Sequence, residues 1–454
     1  MITLPGKHTT AKIMIDDIES TCMAQIIQFI NHPAFTNPVS IMPDTHYGKG
    51  SVIGFTMPLG DKVIPNVIGV DIGCGMLSVN LGKQSLNFQE IDDKIRESIP
   101  FGINVHSRGV FHMKNDFPWE KVNKWIVGLY DKFQLLPRRE VADYDWFMLE
   151  CKRIGIDLTY AINSVGTLGG GNHFIEFGTS EATGETWLTV HSGSRNFGKK
   201  VCDYWQGKAE NVLKEKRNDF FTRAVKEIKK DTTNNKEIGI RIEQARKEAG
   251  IGVGVSIKEL EWLEGLRAVD YLFDMLFAQV YSEVNRQAMV NKIVEIGGFE
   301  IHDRIETVHN FVDFRDFIIR KGAIRSYVGE RMIIPFNMRD GILVCEGKSN
   351  PEWNFSAPHG AGRLMSRSKA KATLNLVEFE DQMKGIFSTS VVRSTLDEAP
   401  NAYKDPKVIE EAIQPTATIL DRIKPIHNMK DRGGDKPWKK GKRDEVETYD
   451  VGGD

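Results

Sequence analysis

The amino-acid sequence predicts an α+β protein, because β-type segments near both ends of the chain flank a long helical block. Short runs rich in Val and Ile, broken by Gly and Pro, occupy the N-terminal part, as in VSIMPDTHYGKGSVIGFTMP. Between about 204 and 290 the apolar residues recur with helical spacing among many Lys and Glu residues. The β-type pattern returns after His309, in KGAIRSYVGERMIIPF and DGILVCEG. We therefore expect a helical insertion between two parts of a β-rich core.

Composition indicates a globular protein with a substantial core. The chain has 454 residues, of which 41% are hydrophobic and 27% charged, and its formal net charge is −2. A nucleic-acid partner would therefore have to be met by a local basic patch. The N-terminus lacks an apolar signal region and no run approaches membrane-spanning length, so we expect a cytoplasmic protein without a membrane partner. Five scattered cysteines without CxxC spacing fit a reducing compartment.

Two further segments complete the pattern along the chain. FPWEKVNKWIVGLYDKF has the apolar spacing of a helix. Residues 431–454 are charged and poor in apolar groups, which predicts a mobile C-terminal tail. Its basic run could contact nucleic acid, although a solvated tail is the simpler interpretation.

The segment IGVDIGCGM places Asp71 and Cys74 three residues apart in a glycine-rich turn. Glycines allow the backbone to turn tightly and bring both side chains toward one point. A carboxylate and a thiolate together suit a borderline divalent ion such as Mn²⁺, Zn²⁺, Fe²⁺ or Co²⁺. Taken alone, a buried cysteine beside a turn aspartate is the more frequent explanation of such a pair.

Three histidines follow in similar settings. His173 lies in GGGNHFIE, His191 ends a β-type run in VHSGSRNFG, and His309 lies in ETVHNF. Each alone is more often a satisfied polar residue than a ligand. Together with Asp71 and Cys74 they would form a mixed set large enough for two ions sharing the thiolate, an arrangement used in phosphoryl chemistry. Sequence separation does not show whether these residues converge.

The loop SAPHGAGR places His359 among small residues. Its chemistry leaves three alternatives open: a metal ligand, a general base or a nucleophile. Lack of bulk gives a large group room to approach the imidazole, and Arg363 and Arg367 can stabilise phosphate oxygens. A neutral imidazole that attacks an α-phosphate forms a phosphoramidate, which protonation converts into a good leaving group.

Taken together, the motifs resemble the RtcB family of GTP-dependent RNA-splicing ligases. They occur in the family's order and span the chain from about Met42 to Lys430. The matching segments are MPDTHYGKG, IGVDIGCGM, GTLGGGNHF, VHSGSRNFG, HNF, KGAIR, SAPHGAGR and EAPNAYKD. The match is specific because it depends on the ordered set and not on one motif.

The resemblance implies both fold and activity. We expect one α+β catalytic unit over residues 1–430, with sheets forming a metal-containing cleft surrounded by helices. The implied reaction joins an RNA 3′-phosphate or 2′,3′-cyclic phosphate end to a 5′-hydroxyl end, using GTP and two Mn²⁺ ions. The implied partner is RNA with such ends, in tRNA splicing or RNA repair. Which RNA is used, and whether an activating protein partner is needed, stays open.

The family's functional residues carry over by motif. His359 is implied to be the guanylylated nucleophile. The implied metal ligands are Asp71, Cys74, His173, His191 and His309. The implied guanylate contacts are Asn172, Phe174, Glu176, His359, Gly360, Ala361, Gly362, Tyr403 and Lys430. Arg195, Arg363 and Arg367 match positions suited to the RNA phosphate, and Asp44, His46 and Lys49 are given a supporting role.

One departure from the family pattern bears on function. PFNMRDG stands where the family often has a serine-bearing segment, so Asn337 replaces a serine expected at the guanylate pocket. Nucleotide affinity and GTP preference are the properties this change affects. It motivates an alternative, a non-sealing protein that binds or caps nucleic-acid 3′-phosphate ends. A metallophosphohydrolase is disfavoured, because hydrolysis does not require a histidine in a loop of small residues.

Overall fold

The computed structural model describes residues 1–135, 141–249 and 259–433. The strands are β1 (Ile2–Pro5), β2 (Thr10–Ile13), β3 (Val39–His46), β4 (Ile53–Pro58), β5 (Lys62–Val63), β6 (Gly75–Asn80), β7 (Phe174–Ser180), β8 (Thr186–Ser192), β9 (Leu263–Glu264), β10 (Asp303–Val308), β11 (Asn310–Asp313), β12 (Ile318–Lys321), β13 (Ala323–Arg325), β14 (Arg331–Pro335), β15 (Ile342–Gly347), β16 (Ser356–Pro358) and β17 (Ala417–Met429).

Helices connect and cover these strands. They are α1 (Ser20–Ile30), α2 (Pro65–Ile68), α3 (Phe88–Ser98), α4 (Met113–Asp116), α5 (Trp119–Asn123), α6 (Ile126–Lys132), α7 (Tyr144–Ile154), α8 (Leu158–Asn163), α9 (Arg195–Asp231), α10 (Asn235–Glu248), α11 (Leu266–Gly297), α12 (Arg367–Thr373), α13 (Leu376–Gln382) and α14 (Pro406–Ala412). Short 3₁₀ helices lie at Pro351–Trp353, Arg393–Glu398 and Pro400–Ala402.

A six-stranded sheet contains the N-terminal strands in the order β1-β2-β3-β4-β12-β11. The β2–β3 pair is parallel and the other neighbours are antiparallel. The register of β3 against β4 shifts between Ile41 and His46, and Asp44 lies in this irregular stretch. Such irregularities re-aim side chains, which is how Asp44 can leave the regular alternation of the strand.

A seven-stranded antiparallel sheet has the order β10-β6-β8-β7-β17-β15-β14. Its central strands β6, β8 and β7 are buried along their length apart from one half-buried residue of β7. The register of β17 against β7 shifts between Pro425 and His427, just before the strand delivers Asn428 and Lys430. This sheet and the six-stranded one meet where β10 is followed by β11.

Helix α11 belongs to the core and joins its two parts. Its first half, including Tyr271 and Phe277, packs in the apolar cluster that covers the six-stranded sheet. Its second half, including Met289 and Ile293, packs in the cluster on the seven-stranded sheet. Burial of the rings around Phe277 makes this helix a large contributor to stability, since each fully buried large apolar side chain contributes about 2–3 kcal/mol.

The prediction of an α+β fold is confirmed, while individual elements differ from the sequence patterns. The helical block spans α9, α10 and α11, from Arg195 to Gly297, and so exceeds the expected 204–290 at both ends. The segment FPWEKVNKWIVGLYDKF forms two short helices, α5 and α6, instead of one. Within the described ranges no helix is long and apolar enough to cross a membrane.

The predicted C-terminal tail lies mostly outside the described residues, which end at Gly433. Its first residues contact the body of the protein. Arg432 Nη2 donates to Thr389 Oγ1 at 2.6 Å, and Ser394 Oγ donates to the Arg432 carbonyl. Residues 431–433 therefore continue the packed chain beyond the last strand.

Candidate metal centre and nucleotide pocket

Four of the predicted metal ligands lie at the ends of neighbouring strands. Cys74 precedes β6, His173 precedes β7, His191 lies in β8, and His309 lies between β10 and β11. The register places His191 opposite Phe174, and the next residue, Ser192, opposite Gly75. The His309 N–H donates to the Cys74 carbonyl at 2.9 Å. Strand pairing thus brings together side chains that are far apart in sequence.

Asp71 reaches the same place from the turn before β6. Its Oδ1 accepts hydrogen bonds from the backbone N–H of Ser194 at 3.0 Å and from Ser194 Oγ at 3.2 Å, at the start of α9. Its Oδ2 lies 3.1 Å from His173 Nε2. A Cβ at Gly193 would lie 2.2 Å from both carboxylate oxygens, so only glycine fits beside this aspartate.

The ligand atoms form two groups that share Cys74. One contains Cys74, His191 and His309, and the other contains Asp71, Cys74 and His173; within each group the atoms lie within 4.8 Å of one another. Cys74 Sγ lies 3.3 Å from His191 Nε2 and 3.5 Å from His173 Nε2. His191 Nε2 lies 3.3 Å from His309 Nε2. A thiolate at Cys74 could therefore serve two ions.

The hydrogen bonds of the imidazoles fit a bound cation. His173 Nδ1 lies 2.9 Å from the Leu168 carbonyl, and His191 Nδ1 lies 3.2 Å from the Asn172 carbonyl. A carbonyl only accepts, so Nδ1 carries the proton and Nε2 presents a lone pair to the centre. Burial, with nearby cationic groups, lowers the pKa of His191 and His309 well below the usual range. Converging lone pairs repel unless a cation lies between them, and an N/O/S donor set suits a borderline divalent ion.

Polar residues of α11 hold the loops that carry these ligands. Arg286 Nη1 donates to the carbonyls of Gly73 at 2.8 Å and Ser192 at 3.0 Å. Asn285 Nδ2 donates to the Gly193 carbonyl at 3.0 Å. Both side chains are buried. Sequence reasoning missed these residues, because polar residues in a helical block are usually on its solvated face.

His359 lies beside the metal ligands, directly after β16. Its Nδ1 lies 2.7 Å from Asp44 Oδ2, and its backbone N–H donates to the same oxygen at 3.1 Å. The ring centroids of His359 and His309 are 4.8 Å apart. Asp44 is fully buried, so it fixes both the backbone and the imidazole of His359. With Nδ1 bonded to Asp44, Nε2 is the ring nitrogen that presents a lone pair.

Small residues after His359 allow its loop to pack against β3. Gly362 has φ +75°, and a Cβ there would lie 2.2 Å from the Asp44 carbonyl oxygen. Ala361 is buried in an apolar cluster with Ile334 and Leu343. Lack of bulk in this loop therefore serves close packing as well as access to the neighbouring cavity.

A cavity of about 650 Å³, including its open side, extends from His359. All nine predicted guanylate contacts line it: Asn172, Phe174, Glu176, His359, Gly360, Ala361, Gly362, Tyr403 and Lys430. Several residues to which the motifs gave no role also line it, among them Met338, Glu398 and Asn428.

Glu176 is an incompletely bonded carboxyl in this cavity. Its Oε2 accepts from Asn428 Nδ2 at 2.7 Å, while Oε1 is buried without a hydrogen-bond partner among the described residues. Burial raises the pKa of Glu176 to about 8, against the opposing effects of the Asn428 hydrogen bond and the Lys430 charge. An unpartnered buried acceptor is costly, and a ligand with N–H donors would satisfy it.

Glu398 is the second buried carboxylate of the cavity wall. Its Oε2 accepts from Lys430 Nζ at 2.7 Å and from the Tyr403 hydroxyl at 2.8 Å. Its Oε1 accepts from Arg367 Nη1 at 2.5 Å. Burial alone would raise the pKa of Glu398, but the charges of Lys430, Arg367 and Arg363 hold it well below the usual range.

The three predicted phosphate-binding arginines are placed differently. Arg363 and Arg367 lie beside the cavity, where Arg363 Nη2 donates to the Asp397 carbonyl at 2.7 Å and Arg367 Nη1 lies 3.0 Å from Asp397 Oδ2. Arg195 lies behind the glycine-rich turn and donates to Thr167 Oγ1 at 2.9 Å. Its backbone has φ +57°. The guanidinium of Arg195 is engaged by protein groups, so its contact with RNA phosphate stays a prediction.

Asn337 lines the cavity, but its side chain bonds within its own turn. Its Oδ1 accepts from the backbone N–H groups of Arg339 at 2.9 Å and Asp340 at 3.0 Å. Its Nδ2 donates to Asp340 Oδ2 at 2.7 Å. Asn337 therefore stabilises the connection between β14 and β15 and offers the cavity few polar atoms.

A buried set of Asp, Cys and His side chains that could hold metal ions lies beside an Asp-held histidine and an open cavity, which defines a candidate metal-dependent nucleotidyl-transfer protein. Comparison with known families identifies the family. The family model described as tRNA-splicing ligase RtcB matches residues 25–431. The chain therefore belongs to the RtcB family.

Relatives from all three domains of life are similar over 83–94% of their length. The RNA-splicing ligase RtcB of Escherichia coli strain K12 is 27% identical over 429 residues, which cover 90% of this chain and 94% of that protein. The tRNA-splicing ligase RtcB of Nanoarchaeum equitans is 26% identical and covers 88% of this chain. The RNA-splicing ligase RtcB homolog 1 of Entamoeba histolytica is 24% identical and covers 90% of this chain.

Proposed function

We propose that this chain is an RNA ligase that joins RNA 3′-phosphate or 2′,3′-cyclic phosphate ends to 5′-hydroxyl ends, using GTP and Mn²⁺, in RNA repair or tRNA splicing. Membership of the RtcB family supports RNA ligation as the activity. The observation that carries the chemistry is the position of His359. Its imidazole is bonded to the buried Asp44 and lies between the metal-ligand set and the cavity.

His359 supplies the nucleophile. Attack by Nε2 on the α-phosphorus of GTP forms a phosphorus–nitrogen bond and breaks the bond to pyrophosphate, which leaves. Asp44 holds the Nδ1 proton and stabilises the positive charge that develops on the ring. An oxygen of the RNA 3′-phosphate then attacks the same phosphorus, breaks the bond to Nε2 and restores the neutral imidazole. The 5′-hydroxyl oxygen finally attacks the RNA 3′-phosphorus, the bond from that phosphorus to the GMP oxygen breaks, GMP leaves, and the hydroxyl proton passes to solvent.

The cavity would hold the guanine ring. The Glu176 carboxylate can accept the two N–H groups on one edge of guanine, and Lys430 can donate to a ring acceptor. Adenine presents an acceptor where guanine presents the ring N–H, so Glu176 and Lys430 together favour GTP over ATP. Arg363 and Arg367 would bind the 3′-phosphate at the rim.

Two groups of ligands would hold the metal ions, with Cys74 shared between them. Bound divalent ions would neutralise phosphate charge and lower the barrier to attack.

We also propose that residues 1–430 act as one catalytic unit, because α11 packs in both apolar clusters. All five cysteines are buried and none forms a disulfide, which supports a cytoplasmic location.

The test is transfer of label from α-labelled GTP to the purified protein in the presence of Mn²⁺. Wild-type protein should acquire an acid-labile label, and His359→Ala should acquire none. Wild type that stays unlabelled, or a His359→Ala variant that is labelled, would contradict the proposal. An RNA panel with 3′-phosphate and 5′-hydroxyl ends then identifies the substrate, with and without added protein partners.

A second candidate is a protein that caps 3′-phosphate ends without sealing them. The observation in its favour is Asn337, whose polar atoms serve its own turn and not the cavity. RNA carrying both ends separates the two candidates. Accumulation of a guanylylated 3′ end without a joined product would favour capping, and a joined product would exclude it.

A further inference from the structure

Glu398 is the common partner of side chains predicted to contact two different ligands. It lies on the 3₁₀ helix Arg393–Glu398 and is 3% exposed. Tyr403 and Lys430, which bond its Oε2, are predicted nucleotide contacts. Arg367, at 2.5 Å, and Arg363, at 3.5 Å, approach its Oε1 and are predicted phosphate contacts.

The charges around Glu398 explain why this position needs a carboxylate. Arg363, Arg367 and Lys430 are cations with little exposure, and at low dielectric they would repel one another. Glu398 and the neighbouring Asp397 supply two negative charges against the three positive ones. Among these five side chains one positive charge stays in excess, which suits an incoming anion, while hydrogen bonds keep the cations in place.

The neighbouring carboxylate has a narrower set of partners. Asp397 Oδ2 lies 3.0 Å from Arg367 Nη1, and Asp397 Oδ1 lies 3.4 Å from Lys371 Nζ. These partners all lie on the side of the predicted phosphate contacts. Of the two carboxylates, only Glu398 bonds both sets of side chains: its Oε2 bonds predicted nucleotide contacts and its Oε1 bonds predicted phosphate contacts.

We propose that Glu398 is a positioning residue that couples the nucleotide pocket to the phosphate-binding arginines, so that the affinity for both ligands depends on one carboxylate. This inference rests on the proposed ligase function and assigns the side chain that joins its two binding sites. The Tyr403 hydroxyl donates its proton to Glu398, so the oxygen lone pairs of Tyr403 point away from Glu398. Loss of the carboxylate would release Tyr403, Lys430 and Arg367 together.

The experiment measures equilibrium binding of two ligands separately, without turnover and with Mn²⁺ present. One ligand is GMP, and the other is a short RNA with a 3′-phosphate and a blocked 5′ end. In Glu398→Gln we expect the Kd for each ligand to rise about tenfold or more. Tyr403→Phe should weaken GMP more than the RNA, because on the phosphate side Tyr403 loses only the 3.2 Å hydrogen bond from Arg363 Nη1. Asp397→Asn should weaken the RNA only. Asp303→Asn, which breaks the distant ion pair with Arg331, should change neither.

Non-additivity separates coupling from a general loss of structure. The Glu398→Gln/Tyr403→Phe double variant should bind GMP within about threefold of Glu398→Gln, since residues that act through one contact do not add. If either ligand binds Glu398→Gln within threefold of wild type, or if the double variant shows additive losses, the inference is wrong.

Two arms cover the ways in which the experiment can fail for other reasons. If Glu398→Gln does not unfold cooperatively, Glu398→Asp takes its place, because it keeps the charge and shortens the reach. It should also weaken both ligands, and unchanged affinity for either overturns the inference. Wild type that binds neither GMP nor the RNA would instead contradict the proposed ligase function.

Discussion

Asp44 gives the candidate nucleophile its tautomer. With Asp44 bonded to Nδ1 of His359 at 2.7 Å, the ring proton stays on Nδ1 and Nε2 keeps its lone pair. In Asp44→Asn the amide can donate to Nδ1 and so move the proton to Nε2. We expect the rate of protein guanylylation at saturating GTP to fall by about 10²-fold or more. Single-turnover labelling with α-labelled GTP measures this rate.

The control for this variant is Asp61→Asn, at an exposed aspartate between β4 and β5. It should label at the wild-type rate. GMP binding by Asp44→Asn should stay within about threefold of wild type, because Asp44 does not line the cavity. A variant that labels normally would show that Asp44 only packs against the loop of His359.

Glu176 predicts a pH dependence of nucleotide binding. Its pKa is raised to about 8 by burial, so near pH 6.5 the carboxyl is mostly protonated and accepts poorly. Guanine N–H groups require the carboxylate, and binding therefore releases a proton. We expect the affinity for GMP to increase by up to about tenfold per pH unit between pH 6 and 8, then level off. Isothermal titration in two buffers of different ionisation enthalpy measures affinity and proton release together.

In Glu176→Gln both the pH dependence and the proton release should disappear, and affinity should be low throughout. The same raised pKa also makes folding stability depend on pH. The folded state binds the Glu176 proton more tightly than the unfolded state, so this residue opposes folding increasingly as pH rises from its usual pKa of about 4.5 toward 8. Binding that is equally tight at pH 6 and pH 8 would contradict the assignment of Glu176 to the guanine edge.

Motifs reached the residues of the site whose chemistry is local, but gave no role, or only a supporting one, to residues whose role depends on distant partners. Cys74 and His309 stand in short glycine-rich or histidine-bearing segments, and the structure brings them together. Asp44 lies 315 residues from His359, and no periodicity connects the two. Glu398 is a buried charge, which sequence reasoning treats as solvated unless its cationic partners are known.

At the scale of elements, the end of β17 is fixed from outside its own sheet. Ser390 Oγ accepts from the Lys430 N–H at 2.8 Å and donates to the Lys430 carbonyl at 3.0 Å. Arg96 of α3 donates to the same hydroxyl at 2.9 Å. Before this point, His427 Nε2 lies 3.0 Å from the buried Asp92 of α3. These contacts fix the position of Lys430 in the cavity wall, beyond the register shift in β17.

Ser390→Ala should therefore weaken nucleotide binding without slowing chemistry. We expect the Kd for GMP to rise about five- to tenfold, equivalent to about 1–1.4 kcal/mol for lost hydrogen bonds. Guanylylation at saturating GTP should stay within about twofold of wild type. Ser180→Ala is the matched control, since Ser180 pairs with the opposite part of β17, at Ile423. A lower rate at saturation, with Kd unchanged, would contradict this role.

Sequence patterns found element types better than element limits. The β-type runs became β3, β4, β14 and β15, because half-buried or buried strands require apolar and β-branched residues. The single helix expected in FPWEKVNKWIVGLYDKF is interrupted at Lys124 and Trp125. Helical spacing does not reveal such a break, because the apolar residues keep the same face toward α11. Likewise, α11 is buried on most sides, although the many Lys and Glu residues of the helical block suggested a more exposed helix.

At the scale of the whole molecule, α11 links the stability of the core to the metal centre. Arg286 is 1% exposed and bonds the loops of Gly73 and Ser192, whose neighbours Cys74 and His191 are candidate ligands. It also pairs with Glu306 at 2.9 Å. A polar residue that orients ligand loops from outside tunes metal affinity as well as folding.

Arg286→Met keeps the aliphatic stem and removes the guanidinium. We expect the free energy of unfolding to fall by about 2–4 kcal/mol, because buried carbonyls lose their donor and Glu306 loses its partner. The Kd for Mn²⁺ should rise about tenfold or more, since the ligand loops are released. Chemical denaturation without metal and calorimetric titration with Mn²⁺ measure the two effects separately. Arg267→Met, on the exposed start of the same helix, should change neither quantity. Reduced stability with unchanged Mn²⁺ affinity would show that α11 supports the fold without organising the metal ligands.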